Sequence, residues 1–206
     1  MRSNLSVALL FISTFVCAQV KVQSVAGANL PKNIKYQGKL VQAMQYQDKT
    51  GTFLSLTTQT GAQSQKGDDE FKQAHLYAYV YQLKANAAPL LLWQLHDLVT
   101  DCNLDMVADF VPGSFAITDL DKNGTAEVWV TYRLGCRGDV SPSELKIIAH
   151  EGKTKYAMRG IGKITVGKQA QHDGGVITSN DFTKAPVVFK QYAGKLWNKY
   201  LLEVMK

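Results

Sequence analysis

Apolar and polar positions alternate with a period of two along most of this chain, a pattern that predicts strands. The extended runs fall at Lys39 to Tyr46, Thr52 to Thr58, Leu76 to Leu83, Leu90 to Leu98, Ala126 to Leu134, Leu145 to His150 and Lys155 to Met158. The strongest is His75-Leu76-Tyr77-Ala78-Tyr79-Val80-Tyr81, which puts three tyrosines on one face. Such a row either stacks sugars or packs against a neighbouring layer. Gln59 to Lys72 is polar and holds glycine, so it reads as a loop; Val166 to Ser179, with three glycines, reads as a loop or loose hairpin. The period changes near Pro186. Phe189, Tyr192, Ala193, Leu196, Tyr200 and Val204 recur at spacings of three and four. Proline suits the first turn of a helix, so an amphipathic helix is expected over about 186–204. The expected fold class is β-rich α+β: mainly antiparallel sheet with a C-terminal amphipathic helix packed on it.

The start of the chain has a different pattern. Arg2 precedes an apolar run from Val7 to Val16, and Val16-Cys17-Ala18 offers small residues at a cleavage position. Residues 1–18 are therefore expected to be a signal peptide and 19–206 one β-rich domain, exported to the periplasm or secreted. No later run reaches the roughly 20 apolar residues of a transmembrane segment. An exported chain usually pairs its cysteines, here Cys102 and Cys136. Closing that loop stabilises a fold by roughly 3–4 kcal/mol on a chain-entropy account.

Inside the segment that the two cysteines enclose lies Asp119-Leu120-Asp121-Lys122-Asn123-Gly124-Thr125-Ala126-Glu127. Oxygen side chains stand at loop positions one, three, five and nine, with glycine at six. A hard cation such as Ca²⁺ takes six to eight oxygens. Alternation on a tight loop aims every second side chain at one centre, and the Thr125 carbonyl supplies a further oxygen. Asp119, Asp121, Asn123, Thr125 and Glu127 are thus the expected ligands, with Ca²⁺ as the cofactor. The loop is no EF-hand: position twelve is Val130, and the flanks read as strands. The alternative is an Asp/Asn/Gly-rich hairpin loop with no metal. A disulfide around the loop is expected to pin the arms that present the ligands, and so to couple to cation binding.

Two resemblances follow from these residues. The strand–DxDxNGxxE–strand unit resembles the calcium loops of integrin-type β-propeller repeats, although no second copy occurs, so only the metal geometry is implied. The longer stretch from near Cys102 to Gly160 carries Ile-Thr-Asp-Leu-Asp-Lys-Asn-Gly, Glu-Val-Trp, Cys-Arg-Gly-Asp-Val-Ser-Pro, Leu-Lys-Ile-Ile and Lys-Tyr-Ala-Met-Arg-Gly in order. It is similar to a family of small exported bacterial proteins linked to surface-polysaccharide biosynthesis. That resemblance implies a role in the cell envelope and brings no catalytic residues with it.

Charge narrows the partners. The formal net charge is +6, and the excess of bases lies in the C-terminal third, while acids cluster from Asp97 to Glu127. Lys155, Lys163, Lys190, Lys195 and Lys199 are the candidates for a surface that meets an anionic polysaccharide, a lipopolysaccharide or an envelope protein. Nucleic acid does not suit an exported chain. Arg137-Gly138-Asp139 matches an integrin-binding tripeptide, but Asp139 before Val-Ser-Pro suits a turn cap equally well.

Catalytic constellations are sparse. His96-Asp97 and His150-Glu151 are neighbours on strands, where successive side chains point to opposite faces. No GxSxG or HExxH occurs. The expected function is that of a non-enzymatic envelope protein with a calcium loop, involved in the assembly or binding of surface polysaccharide. The alternative is a carbohydrate-active hydrolase using carboxylates near the loop.

Overall fold

The computed structural model describes residues 20–166 and 169–205; the expected signal peptide and Cys17 lie outside them. Among the described residues, fifteen strands and one α-helix follow in order. They are β1 (Lys21–Ser24), β2 (Lys39–Asp48), β3 (Gly51–Gln59), β4 (Gln63–Gln65), β5 (Asp68–Leu83), β6 (Leu90–Cys102), β7 (Asp105–Phe110) and β8 (Ala116–Thr118). Then come β9 (Glu127–Arg137), β10 (Glu144–Glu151), β11 (Thr154–Ile161), β12 (Lys163–Val166), β13 (Gln169–Gly174), β14 (Ile177–Asn180), α1 (Val187–Tyr200) and β15 (Leu202–Met205). The chain is β-rich, its two large sheets are antiparallel, and a C-terminal helix packs on one of them.

Sheet A runs β1-β2-β3-β5-β4, with β6 on the other side of β5. Sheet B runs β14-β11-β10-β9-β7, with β8 also on β9. The two sheets pack face to face. Ala74, Leu76, Ala78 and Leu95 of sheet A meet Ala108, Val130, Tyr132, Leu134, Ile148 and Ala157 of sheet B in one buried cluster. Sheet B buries its outer face under α1, where Trp129, Leu145, Ile147 and Met158 pack with Phe182, Phe189, Leu196 and Trp197. Gly160 lies in this layer, and a Cβ there would sit 2.1 Å from the Val176 carbonyl oxygen and 2.7 Å from Trp197. Sheet A buries its outer face under the segment before β2, where Ile34 packs with Leu54, Leu56, Tyr77, Tyr79 and Tyr81. The central strands are covered on both faces, so β9 is buried from Glu127 to Leu134.

The tyrosine row is therefore covered. The Tyr77 hydroxyl donates to Gln37 Oε1 at 3.0 Å, the Gln37 N–H donates to the Tyr79 hydroxyl at 3.1 Å, and the Tyr81 hydroxyl donates to the Lys35 carbonyl. With the three rings at most 6% exposed, the row packs against a layer instead of presenting a sugar platform.

Several boundaries differ from the sequence reading. The polar stretch from Gln59 to Lys72 is largely strand: β4 and the first part of β5 pair across a turn at Gly67. Backbone pairing, not side-chain polarity, determines those residues. The stretch from Val166 to Ser179, read as a loop or loose hairpin, follows the second reading: β13 pairs antiparallel with β12, and β14 begins at Ile177. The helix stops at Tyr200, and Val204 belongs to β15, which runs parallel to β12. Three hydrogen bonds to two carbonyls end it: the Tyr200 carbonyl accepts from Arg133 Nη2, and the Leu201 carbonyl accepts from Arg133 Nη2 at 3.4 Å and from Lys163 N at 2.8 Å. Glu203 of β15 then lies between Arg137, at 2.7 Å, and Arg133, at 3.9 Å. Arg137 is thereby held inside the protein, which leaves the Arg-Gly-Asp tripeptide without its arginine.

Candidate metal centre

The loop between β8 and β9 is folded by its own side chains. The Gly124 N–H donates to Asp119 at 3.1 Å, the Asn123 N–H to Asp121 Oδ1 at 3.1 Å, and the Thr125 N–H to Asn123 Oδ1 at 2.7 Å. Short polar side chains that capture the backbone two to five residues on are the usual device of a tight turn. Lys122 and Gly124 take positive φ values of 59° and 81°. Gly124 has a second reason to be glycine: a Cβ there would lie 3.1 Å from the Lys49 side chain.

The outcome is an acidic cluster. Oxygens of Asp119, Asp121 and Glu127 all lie within 4.8 Å of one another, an arrangement that could hold a metal ion. Glu127 is fully buried. It accepts from Thr118 Oγ1 at 2.6 Å and from the Leu120 N–H at 3.0 Å, and Thr118 Oγ1 in turn accepts from Trp129 Nε1 at 2.9 Å. Burial raises the Glu127 pKa, the bonds from Thr118 and Leu120 oppose that rise, and the charges of Asp121 and Asp119 add to it. Like charges so close to one another favour any positive group that joins them.

Asn123 and Thr125 stand beside the cluster. The Asn123 amide donates to Asp121 Oδ2 at 2.9 Å and to Glu151 Oε1 at 2.5 Å. Glu151 is thus a fourth carboxylate at the site. It comes from the end of β10, directly opposite Glu127 in the ladder. Tyr156 sits close by, its pKa raised by burial first and then by Glu151 and Asp121.

Sheet A also reaches the loop, through the turn between β2 and β3. Asp48 Oδ2 accepts from the Ala126 N–H at 3.0 Å, the Lys49 N–H donates to the Gly124 carbonyl at 2.9 Å, and Lys49 Nζ donates to the Asn123 carbonyl at 2.6 Å. Nothing local in the sequence marks Asp48 and Lys49, which lie more than seventy positions upstream. Thr118, adjacent to Asp119, was findable as a polar residue on the strand that leads in.

No family model matches this chain. Searches of curated proteins and of solved structures find no match either.

The other predicted groups lie elsewhere. Cys102 and Cys136 form a disulfide, with Cα atoms 5.6 Å apart. It joins the end of β6 in sheet A to β9 in sheet B. Glu127 lies nine residues away along β9, about 30 Å at the rise of a strand, so the disulfide does not pin the arms of the loop. The five lysines do not share one face. Lys155 pairs with His150, whose ring stacks on Trp93 of sheet A at 4.0 Å, so Lys155 belongs to the sheet face away from α1. On α1, Lys195 and Lys199 stand one turn apart, and Lys190 lies about half a turn round from Lys199. Lys163 is on β12, its stem against Gly175.

His96 and Asp97 point to opposite faces, as their strand requires. Asp97 accepts from the Tyr132 hydroxyl at 2.9 Å and pairs with Lys146 at 2.9 Å, between the sheets.

Proposed function

We propose that this is a non-enzymatic exported envelope protein whose β-sandwich is stabilised by Ca²⁺, and that it acts in the assembly or binding of surface polysaccharide. The observation that carries the calcium part is the convergence of Asp119, Asp121 and Glu127 within 4.8 Å, on a loop that bonds to sheet A through Asp48 and Lys49. Asn123 and the Thr125 carbonyl complete an all-oxygen set, the donor type that hard cations prefer. An ion there neutralises the crowded carboxylates and fastens the loop, and through it the β2–β3 turn of sheet A to the start of β9 in sheet B. The Lys195 and Lys199 pair on α1 is the part of the basic surface that suits an anionic glycan or lipopolysaccharide. The export part agrees with the Cys102–Cys136 disulfide and with the absence, among the described residues, of a helix long and apolar enough to cross a membrane. The polysaccharide part rests on the family resemblance of the 102–160 stretch. Glu127 is fully buried and suits a ligand role better than that of an acid reaching a sugar, so the hydrolase reading is the weaker one.

A ligand that binds only the native state raises apparent stability by RT ln(1 + [L]/Kd), about 2.7 kcal/mol at a hundredfold excess over Kd. Thermal melts with Ca²⁺ and with chelator should therefore separate by several degrees, and Asp121→Ala should abolish the separation. Coincident melts of the wild-type protein would refute the calcium reading. The glycan reading is tested separately, by retention of anionic surface polysaccharide on immobilised protein at low salt and its release at high salt.

A further inference from the structure

Two imidazoles meet on the outer face of sheet A, at its β6 edge. His75 of β5 and His96 of β6 stand diagonally on paired strands, with His75 Nδ1 3.0 Å from His96 Nε2. A column of rings holds both. Tyr77 stacks on His96 at 4.5 Å and 9°, and His96 stacks on His75 at 5.2 Å and 21°. Tyr77 is itself buried and anchored through its hydroxyl to Gln37. The His75 backbone N–H is fixed to Thr60 Oγ1 at 2.9 Å. The two facing nitrogens share one proton in this arrangement, one donating and the other accepting. His96 is exposed, and among the described residues β6 pairs in this sheet with β5 alone, so the outer side of the pair opens to water.

We propose that the His75–His96 pair is a site for a divalent transition-metal ion, which replaces the shared proton. Imidazole nitrogens bind such ions at about 2.0–2.1 Å. Two of them at a right angle about one ion stand about 2.9 Å apart, and at the tetrahedral angle about 3.4 Å. The separation of 3.0 Å fits the right-angled arrangement, which belongs to copper(II) and nickel(II) more than to zinc. Copper(II) also heads the affinity order for nitrogen ligands. Water takes the remaining positions on the open side. A small swing of the exposed His96 ring turns both lone pairs toward one ion, while His75 stays fixed by its half-buried place in the column. Burial, and then the neighbouring His96, lower the His75 pKa, the direction that favours ligation over protonation. This site differs in kind from the oxygen cluster at 119–127 and is independent of it.

The test is a copper(II) titration of the whole chain in saturating Ca²⁺, with glycine as a weak competitor. Calorimetry supplies the affinity and electron paramagnetic resonance the number of nitrogen donors. The wild-type protein should bind one ion with a dissociation constant in the micromolar range and show two equatorial nitrogens. His96→Ala and His75→Ala should each weaken binding about tenfold or more, Asp121→Ala should leave it unchanged, and zinc should bind less tightly. Both histidine variants should keep the wild-type circular dichroism, since His96 is exposed and His75 only half-buried. Equal affinity in wild type and both variants, or no binding by the wild type, would overturn the proposal.

Discussion

At the scale of single residues, His150 is the most exposed to a change of conditions although it is hidden from solvent. Its ring lies between the sheets against Trp93, and Nδ1 has no hydrogen-bond partner among the described residues. Burial, with a contribution from Lys155, lowers its pKa from 6.5 to about 4. A base whose folded pKa is depressed gives full stability above its unfolded pKa and loses it as pH falls toward the folded value. The expected loss falls between pH 6.5 and about 4 and amounts to at most roughly 3 kcal/mol. Denaturant unfolding of wild type and His150→Phe across that range should show a steeper fall for the wild type. Parallel curves would mean that the ring titrates normally. A second residue-scale case is Gly160. Any Cβ there collides with backbone, so Gly160→Ala should cost about 2 kcal/mol or more by overpacking, read as a lower denaturant midpoint.

At the scale of elements, the parts readable from sequence were those whose fate is decided locally. The β9 strand alternates plainly, and Asp119 to Gly124 determines its own turn, so the strand and the loop were both legible. The first part of β5 was not, because polar residues there are strand only by virtue of β4. The end of α1 is hidden from the sequence for a related reason. Val204 continues the helical spacing, yet Lys163 of β12 and Arg133 of β9 capture the backbone at Tyr200 and Leu201, and Arg137 takes the Glu203 carboxylate. Within the candidate site the same division holds: Asp119, Asp121 and Glu127 were visible, while Asp48, Lys49 and Glu151 arrive through folding. The C-terminal clasp is open to test. Burial alone would raise the Glu203 pKa, but the bonds from Arg137 and Ser143 and the charges of Arg137 and Arg133 hold it below the usual carboxylate value. Its stabilising effect is therefore present near neutral pH and is lost in acid, as pH falls through that lowered value. Glu203→Ala strands two largely buried guanidinium groups and should cost about 3 kcal/mol. Hydrogen exchange should rise first at β15 and the last turn of α1, with the core of β9 unaffected.

At the scale of the whole molecule, two fasteners join the sheets at opposite ends of β9. One is the Cys102–Cys136 bond and the other is the loop at 119–127 with the Asp48–Lys49 turn. Groups this far apart, with no shared partner, contribute additively within about 0.5 kcal/mol. Cys136→Ser should therefore lower stability by roughly 3–4 kcal/mol and leave Ca²⁺ affinity unaltered. Removing both fasteners should give the sum of the separate losses. A marked drop in Ca²⁺ affinity on Cys136→Ser would show that strain travels the length of the strand.

The two outermost layers have a shared origin. The cover over the tyrosine row comes from residues 25–38, and the cover over Trp129 comes from α1, so each face is closed by one end of the described chain. Between them, β2 with β3 and β9 with β10 and β11 are hairpins of neighbouring strands, whose contacts form over short separations. Folding of this kind proceeds from the middle outward, because near contacts close before distant ones. Until the ends dock, two wide aromatic surfaces stay in water. The rate at which the termini wrap the finished sandwich, and not the speed of its hairpins, sets how long the young molecule remains prone to stick to its neighbours.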